Sequence, residues 1–248
     1  MPIGLIVMAT IILVIVTFPE PPATELAPRI TTSPTKVTPQ LHGSIPPLRA
    51  VKGLNQAKVT LGEQLFSDPI LSDNNTVSCA TCHILDMGGT NQLPISVGIN
   101  NGVQKINVPT VFNSSLNFKQ FWDGRANSLE EQIDGPITNP LEMGSTWPEV
   151  VSRLKAKSEY VKQFTNSYPE GITQSTISHA IAEFERSLTT PDSPFDQYLK
   201  GDKEALSAEE VEGYELFTNL GCVRCHQGMG IGGNMFQRMG AKNDYFSN

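Results

Sequence analysis

The chain has 248 residues, of which 39% are hydrophobic, and its 18 Lys and Arg against 25 Asp and Glu give a formal net charge of −7. This length suits one large or two modest domains, and the hydrophobic share is enough for a packed core. The negative charge argues against nucleic acid as a partner and gives no sign of a basic membrane-binding patch.

The N-terminal part of the sequence differs from the rest. Residues 3–18 form an apolar run that is short for a membrane span of about 20 residues. No basic residue precedes Arg29, so the positive region of a typical signal peptide is missing. We predict an export signal or membrane anchor over residues 1–20, and favour an uncleaved anchor; a buried core helix is the alternative. The Pro- and Thr-rich residues 21–50 predict an extended linker.

The first structured segment leads into a cysteine motif. Leu54–Phe66 has helical spacing of its apolar residues and ends before Asp68-Pro69. A polar loop over residues 72–78 then precedes the string C-A-T-C-H at residues 79–83. The Gly-, Asn- and Pro-rich residues 88–109 predict a long loop, and long ordered loops in compact domains tend to be functional.

The region from Trp147 onward is predicted to be helical. Thr146 and Glu149 form a capping box, with Pro148 in the first turn. His179 lies off the apolar stripe of a later helix and is predicted to be a solvated side chain rather than an iron ligand. That stripe consists of Ile177, Ala180, Ile181, Phe184 and Leu188. Residues 189–194 break the helix and predict a domain boundary.

A second, similar unit follows. Ser207 and Glu210 cap a helix that is predicted to turn Val211, Tyr214 and Phe217 inward, and it runs directly into C-V-R-C-H at residues 222–226. The string G-x-x-L-F occurs before each cysteine motif, at residues 62–66 and 213–217. The sequence therefore predicts a mainly α fold with two cytochrome c-like haem domains, residues 51–190 and 191–248.

Each C-x-x-C-H string is the attachment signal for c-type haem, in which two thiols add to the vinyl groups and the histidine ligates the iron. The two motifs use all four cysteines and two of the four histidines of the chain. A redox dithiol, a structural zinc site or two disulfides are the alternatives. The predicted haem-binding residues are Cys79, Cys82, His83, Cys222, Cys225 and His226.

The second unit is expected to be incomplete. Only the 22 residues 227–248 follow His226, whereas a cytochrome c-like unit needs further helices to cover its haem. Met229, Met235 and Met239 lie too close to the motif to reach the other face of the haem easily. We therefore expect a second haem without its usual distal ligand and little donor-driven activity in the 248-residue chain.

With these motifs, the chain resembles the bacterial dihaem cytochrome c peroxidase family, which includes MauG-type relatives. The resemblance covers about residues 54–246. It is most specific in four strings: residues 109–113, 121–125, 141–144 and 191–196. It implies that His83 ligates the iron of a peroxidatic haem and His226 that of an electron-transfer haem.

The resemblance also assigns roles to four other side chains. Glu142 matches the family's acid-base glutamate, Gln132 the nearby polar residue, and Trp122 the tryptophan between the haems. Asn107 matches a ligand of a calcium ion. From the residues alone, Glu142 would be read as a solvated loop carboxylate and Trp122 as an ordinary core aromatic.

One departure from the family pattern concerns the resting state. Many members have a histidine sixteen residues after the first motif that caps the iron, and here that position is Ile99. The peroxidatic haem is therefore expected to be open in the resting diferric state.

The implied activity is reduction of hydrogen peroxide with electrons from a small donor, a cytochrome c or a cupredoxin. The alternatives are MauG-like oxidation of a protein or organic substrate, or a non-enzymatic dihaem electron carrier. Covalent haem attachment outside the bacterial cytoplasm implies a periplasmic protein, anchored or released. A homodimer is compatible with this interpretation.

Overall fold

A computed structural model describes residues 45–103 and 106–238 of the chain, all within the compact unit Pro39–Asn248. These residues are mainly helical, and their β-structure is limited to two isolated bridges, Val97 with Val103 and Gln120 with Ala126. The predicted mainly α fold is confirmed. The α-helices are α1 Gln56–Ser67, α2 Cys79–Cys82, α3 Leu129–Thr138, α4 Trp147–Lys155, α5 Ser158–Ser167, α6 Gln174–Ser187, α7 Pro194–Leu199 and α8 Ala208–Asn219.

Helices α1 and α6 pack against each other at the centre of the larger core. Asn55 begins α1 by accepting hydrogen bonds from the backbone amides of Ala57 and Lys58, and the helix ends at Ser67, as predicted. A Cβ atom on Gly62 would lie 1.9 Å from the carbonyl oxygen of Ala180. Glycine is therefore required where the two helices approach most closely.

The predicted apolar stripe of α6 is buried, with Ile177, Ala180 and Ile181 fully excluded from solvent. The capping box of Thr146 and Glu149 at the start of α4 is also present. The apolar stripe thus located α6, and the capping box located the start of α4.

The long loop predicted over residues 88–109 contains only one short 3₁₀ turn, Ile99–Asn101, in its described part. Its backbone is held against the rest of the molecule by hydrogen bonds. The Thr110 hydroxyl donates to the Gly88 carbonyl (2.6 Å) and the Thr90 hydroxyl to the Val108 carbonyl (2.8 Å). The loop thus has a fixed course and forms part of the wall of the first motif's site.

A second, smaller cluster lies near the other motif. Its buried members are Ile45, Tyr214 and Val223, with Phe195 and Phe217 packed against them. Tyr214 and Phe217 thus contribute inward from α8, as predicted. Ile45 belongs to the predicted linker, and the Leu48 amide donates to the Asp196 carboxylate (2.6 Å). The end of the linker is therefore packed rather than extended in solvent, because the cluster buries Ile45 and Leu48 is buried as well.

The residues that the structure describes include no helix long and apolar enough to cross a membrane. The apolar run of residues 3–18 lies outside them, as do most of the predicted linker and Met239. The predicted domain boundary at residue 190 falls between α6 and α7 and stays a prediction.

Candidate haem site

One cavity brings together the residues predicted around the first motif. Its volume is about 280 Å³. Seven predicted site residues line it: Cys79, Cys82, His83, Asn107, Trp122, Gln132 and Glu142. A larger and more open hollow of about 810 Å³ lies beside Asp68, Arg153 and Tyr160 and contains none of them. The smaller cavity is the candidate site because the predicted haem-binding residues of the first motif and Glu142 line it.

The first motif folds as the short helix α2, with His83 directly after it. The Ser78 amide donates to the Thr81 hydroxyl (2.9 Å) and the His83 amide to the Cys79 carbonyl (2.9 Å). Nδ1 of His83 lies 3.2 Å from the Gly89 carbonyl oxygen. In the tautomer that donates this hydrogen bond, Nε2 carries the lone pair and is available to a metal.

Burial controls the protonation of the first motif. It raises the pKa of the Cys79 thiol to about 12, with the negative charge of Glu185 adding to the effect. It also raises the pKa of Cys82, where Glu142 adds. For His83, burial lowers the pKa against the opposing carbonyls of Gly89 and Pro109. The site therefore favours neutral thiols and a neutral imidazole, the form that ligates iron.

Glu142 reaches the cavity from the turn that follows α3. Its amide donates to the Asn139 carbonyl, and its own carbonyl accepts from the Ile99 amide (2.8 Å). A Cβ atom on Gly98 would lie 2.2 Å from the Leu141 carbonyl oxygen, so only glycine lets the long loop approach this turn. The Glu142 side chain is half-buried, and burial raises the pKa of its carboxyl, opposed by the charge of Arg125.

The other predicted residues occupy the outer wall. Gln132 is half-buried on α3, whereas Asn107 and Trp122 are exposed, Trp122 by 53%. The loop of Trp122 also meets the segment after the second motif. The Phe118 amide donates to the Gly233 carbonyl (2.9 Å), and the rings of Phe118 and Phe236 pack edge to face.

A family model described as di-haem cytochrome c peroxidase matches residues 56–204, more than half of the chain. The chain belongs to the di-haem cytochrome c peroxidase family. The match includes the first motif and every residue of the cavity wall named above, and it ends before the second motif.

Named relatives agree with this assignment. The chain is 47% identical over 189 residues to cytochrome c peroxidase Ccp of Escherichia coli, covering 76% of the chain and 41% of the relative. It is 45% identical over 202 residues to cytochrome c551 peroxidase of Nitrosomonas europaea, covering 81% and 60%. The chain thus spans about half the length of the curated relatives it matches.

A solved structure supports the fold. The crystal structure of a MauG-like protein associated with microbial copper homeostasis matches with a TM-score of 0.68 and 30% sequence identity. The match covers 77% of this chain and 58% of that one. The chain therefore has a mainly α fold that matches just over half of this solved structure.

The first site suits a c-type haem, the cofactor that the family implies. Cys79 and Cys82 are free, half-buried thiols on one helical turn that line the same cavity as the His83 imidazole. Ile133, Ile137 and other apolar side chains supply non-polar wall for a porphyrin. In addition, Oε2 of Glu185 is buried at this cavity without a hydrogen-bond partner, as in a site shaped for further contents.

The second motif repeats the local geometry of the first. The His226 amide donates to the Cys222 carbonyl (3.0 Å), and Nδ1 lies 3.3 Å from the Ile231 carbonyl oxygen. The Phe217 ring centroid is 6.0 Å from that of His226, and the equivalent pair Phe66 and His83 are 6.3 Å apart. The G-x-x-L-F repeat thus places one phenylalanine beside each motif histidine.

The surroundings of the second motif are more open. Cys222, Cys225 and His226 are exposed, and so are apolar side chains before and after them. The most exposed of these are Leu220 at 77% and Phe236 at 63%. Met229 and Met235 are exposed as well.

Two of the alternative interpretations of the cysteines, a zinc site and two disulfides, find no support in the geometry. All four cysteines are free, and the described part of the chain holds no group of three or more His, Cys, Asp or Glu suited to a metal ion. The redox-dithiol alternative stays open.

His179 differs from its prediction as a solvated side chain. It is half-buried, and its Nδ1 lies 2.9 Å from the Tyr168 hydroxyl. His179 lies off the apolar stripe of α6, but its ring contacts Tyr168 and is only partly exposed to water. His179 does not line the cavity of the first motif.

Two residues of the cavity were not assigned a role from the sequence. Glu185 follows Phe184 and lies four residues after the buried Ile181, so its place on the inner face of α6 could have been recognised as a charge within an apolar pattern. Arg125 lies in a string used for the resemblance. Its guanidinium is 3.4 Å from the Phe121 ring centroid and pairs with Asp123. The spacing of residues in the sequence does not predict a contact between Arg125 and Phe121.

Proposed function

We propose that this chain is part of a dihaem cytochrome c peroxidase that reduces hydrogen peroxide to water, with peroxide cleaved in the cavity of the first motif. One observation carries the proposal: Glu142, a half-buried carboxyl whose pKa is raised by burial, lines the same cavity as Cys79, Cys82 and His83. An acid-base group beside a haem-attachment motif is the combination that peroxide cleavage requires.

The haem, when bound through Cys79 and Cys82, supplies an iron centre that exchanges electrons with peroxide. His83 would hold the iron, with its ring oriented by the hydrogen bond to the Gly89 carbonyl. Glu142 would accept one proton from peroxide and return it to the oxygen that leaves as water. The charge of Arg125 limits how far burial raises the pKa of this carboxyl, so that it can both accept and return the proton.

Electrons enter, in this proposal, through a second haem at Cys222, Cys225 and His226. Support comes from the repeated motif geometry and from the contacts of the Trp122 loop with the segment that follows His226. Trp122 lines the first cavity on a loop that touches the second unit, as suits a residue between two redox centres. The donor would be a small cytochrome c or cupredoxin.

Location and further partners are part of the same proposal. Export to the periplasm is supported by the covalent haem motifs and by the apolar run of residues 3–18, as an anchor or a released signal. A calcium ion at Asn107 is proposed by resemblance. A homodimer is compatible with the proposal.

The test mixes peroxide with the exported, haem-loaded chain, first in a single turnover after both haems have been reduced and then with a reduced small cytochrome or cupredoxin. A peroxidase oxidises two one-electron donor molecules for each peroxide reduced to two waters. The 30% identical MauG-like structure keeps oxidation of an organic substrate as the second candidate, and that activity would consume peroxide without oxidising the donor. A chain that loads haem and exchanges electrons with the donor but does not react with peroxide would be an electron carrier, and the proposal would be wrong.

A further inference from the structure

Glu185 is a buried carboxyl that the proposed peroxide chemistry does not use. It lies on α6, is 6% exposed and lines the cavity of the first motif. Its Oε2 atom has no hydrogen-bond partner among the described residues. A carboxyl in this position is costly unless something in the cavity compensates it.

The groups around Glu185 do not provide that compensation. Arg186, on the same helix, pairs with Glu130 of α3 and with Glu183. Glu130 and, from α2, the Cys79 thiol are the other titratable groups that interact with the Glu185 carboxyl. The buried residues of α1 are apolar or glycine, and the turn Ser114–Leu116 that packs on α6 contributes hydroxyls.

We propose that Glu185 is a positioning residue that couples one proton to the one-electron reduction of the first haem. In the ferric state the extra positive charge of the iron compensates a Glu185 carboxylate. When the donor delivers one electron, that charge is lost, and the carboxylate takes up one proton from water to become a neutral acid. One electron and one proton thus enter the site together.

The electrostatics agree with this geometry. Without the haem charge, burial raises the pKa of Glu185 to about 8, against the opposing charge of Arg186. A ferric centre lowers the pKa of a nearby carboxyl relative to the ferrous state, because opposite charge favours the ionised form. The proton is therefore released and taken up across the neutral range.

The inference rests on the proposed function only in requiring a haem at Cys79 and Cys82. The experiment is a reduction titration of the holoprotein between pH 6 and 9, with the first haem's signal assigned in a Cys222→Ser, Cys225→Ser variant. From pH 6 to about pH 8, the parent chain should become tenfold harder to reduce at the first haem for each pH unit, about 59 mV, and this slope should flatten above the pKa of Glu185. Glu185→Gln should remove this slope and leave the haem at least tenfold easier to reduce at pH 9.

The matched control is Glu170→Gln, an exposed carboxyl away from the cavity, which should keep the slope of the parent. A Glu185→Gln protein that keeps the slope would overturn the inference while leaving the peroxidase proposal intact. Absence of haem from Cys79 and Cys82 in the parent would overturn both.

A second measurement needs no variant. Infrared difference spectra of the parent holoprotein should show the C=O stretch of a protonated carboxyl appearing on reduction, with a shift in D₂O. If Glu185→Gln fails to load haem, this spectrum decides, and reduction without a carboxyl band would overturn the inference.

Discussion

At the scale of single residues, the site depends on where backbone hydrogen bonds place side chains. Glu142 is fixed by bonds from its own amide and to its own carbonyl, so its carboxyl reaches the cavity from a rigid turn. His83 is fixed by the Gly89 carbonyl in the same way. Both groups are held by hydrogen bonds within the chain itself, which is what preorganised chemistry requires.

Glu142→Gln should keep both haems and slow peroxide cleavage, by a factor of roughly 10² to 10⁴. The amide has the same shape but cannot shuttle a proton. The parent rate should also fall as the pH drops through the raised pKa of Glu142, because only the carboxylate accepts a proton. The rate of the variant should not show this fall. Stopped-flow mixing with peroxide measures both effects, with the exposed Glu63→Gln as control. A rate within about twofold of the parent would exclude Glu142 as the acid-base group.

The resting state follows from the residue at position 99. Ile99 cannot ligate iron, is buried, and does not line the cavity. A Cβ atom on Gly144 would lie 2.3 Å from Cδ1 of Ile99, so this side chain packs towards Gly144. We expect high-spin ferric signals from the first haem and immediate cyanide binding without prior reduction. Electron paramagnetic resonance checks this, and a low-spin bis-histidine signal from the first haem would contradict it.

The sequence predicted these residues unequally. The two haem motifs follow from spacing alone, because attachment needs two thiols and a histidine within five residues. Glu142 and Trp122 needed the resemblance, since a loop carboxylate and an aromatic carry no pattern of their own. The spacing of the α6 stripe places Glu185 on the inner face of the helix, but the role of a buried carboxyl depends on the cavity that it lines, and one sequence does not show that cavity.

At the scale of elements, capping boxes predicted the starts of α4 and α8, and apolar spacing predicted the positions of α1 and α6. Helices α1, α4, α6 and α8 all begin beside a capping residue. The packing of Ile45 was not predictable, because its partners Tyr214 and Val223 lie far along the chain. A proline-rich segment predicts a linker, and only the structure shows which of its apolar residues pack against the rest of the chain.

The two glycines of the G-x-x-L-F repeat should respond differently to alanine. At Gly62 the new Cβ would meet the Ala180 backbone, so α1 and α6 must move apart at a cost of about 1–3 kcal/mol. At Gly213 nothing lies within 4 Å, so alanine should leave stability unchanged or raise it by up to ~1 kcal/mol. Urea unfolding of Gly62→Ala and Gly213→Ala measures the difference. Equal effects would contradict the close α1–α6 contact.

At the scale of the whole described molecule, the two motifs belong to different apolar clusters. The buried members of the larger cluster come from residues 59–184 and contain Phe66, the neighbour of His83. The smaller is built on Ile45, Tyr214 and Val223, with Phe217 packed on it beside His226. Each motif is thus supported by its own packing, and the contact of Phe118 with Phe236 joins the Trp122 loop to the second unit.

Separate cores predict that the haems can be removed one at a time. The Cys222→Ser, Cys225→Ser variant should add one haem unit by intact mass and keep the first haem's spectrum, since no buried residue of the larger cluster is changed. It should still consume peroxide in a single turnover, but its first haem should no longer be reduced by the donor, because electrons no longer have an entry point. The converse variant, Cys79→Ser with Cys82→Ser, should lose the reaction with peroxide. Donor-driven turnover that survives without the second haem would show that electrons enter the first site directly, and the proposed role of the second motif would be wrong.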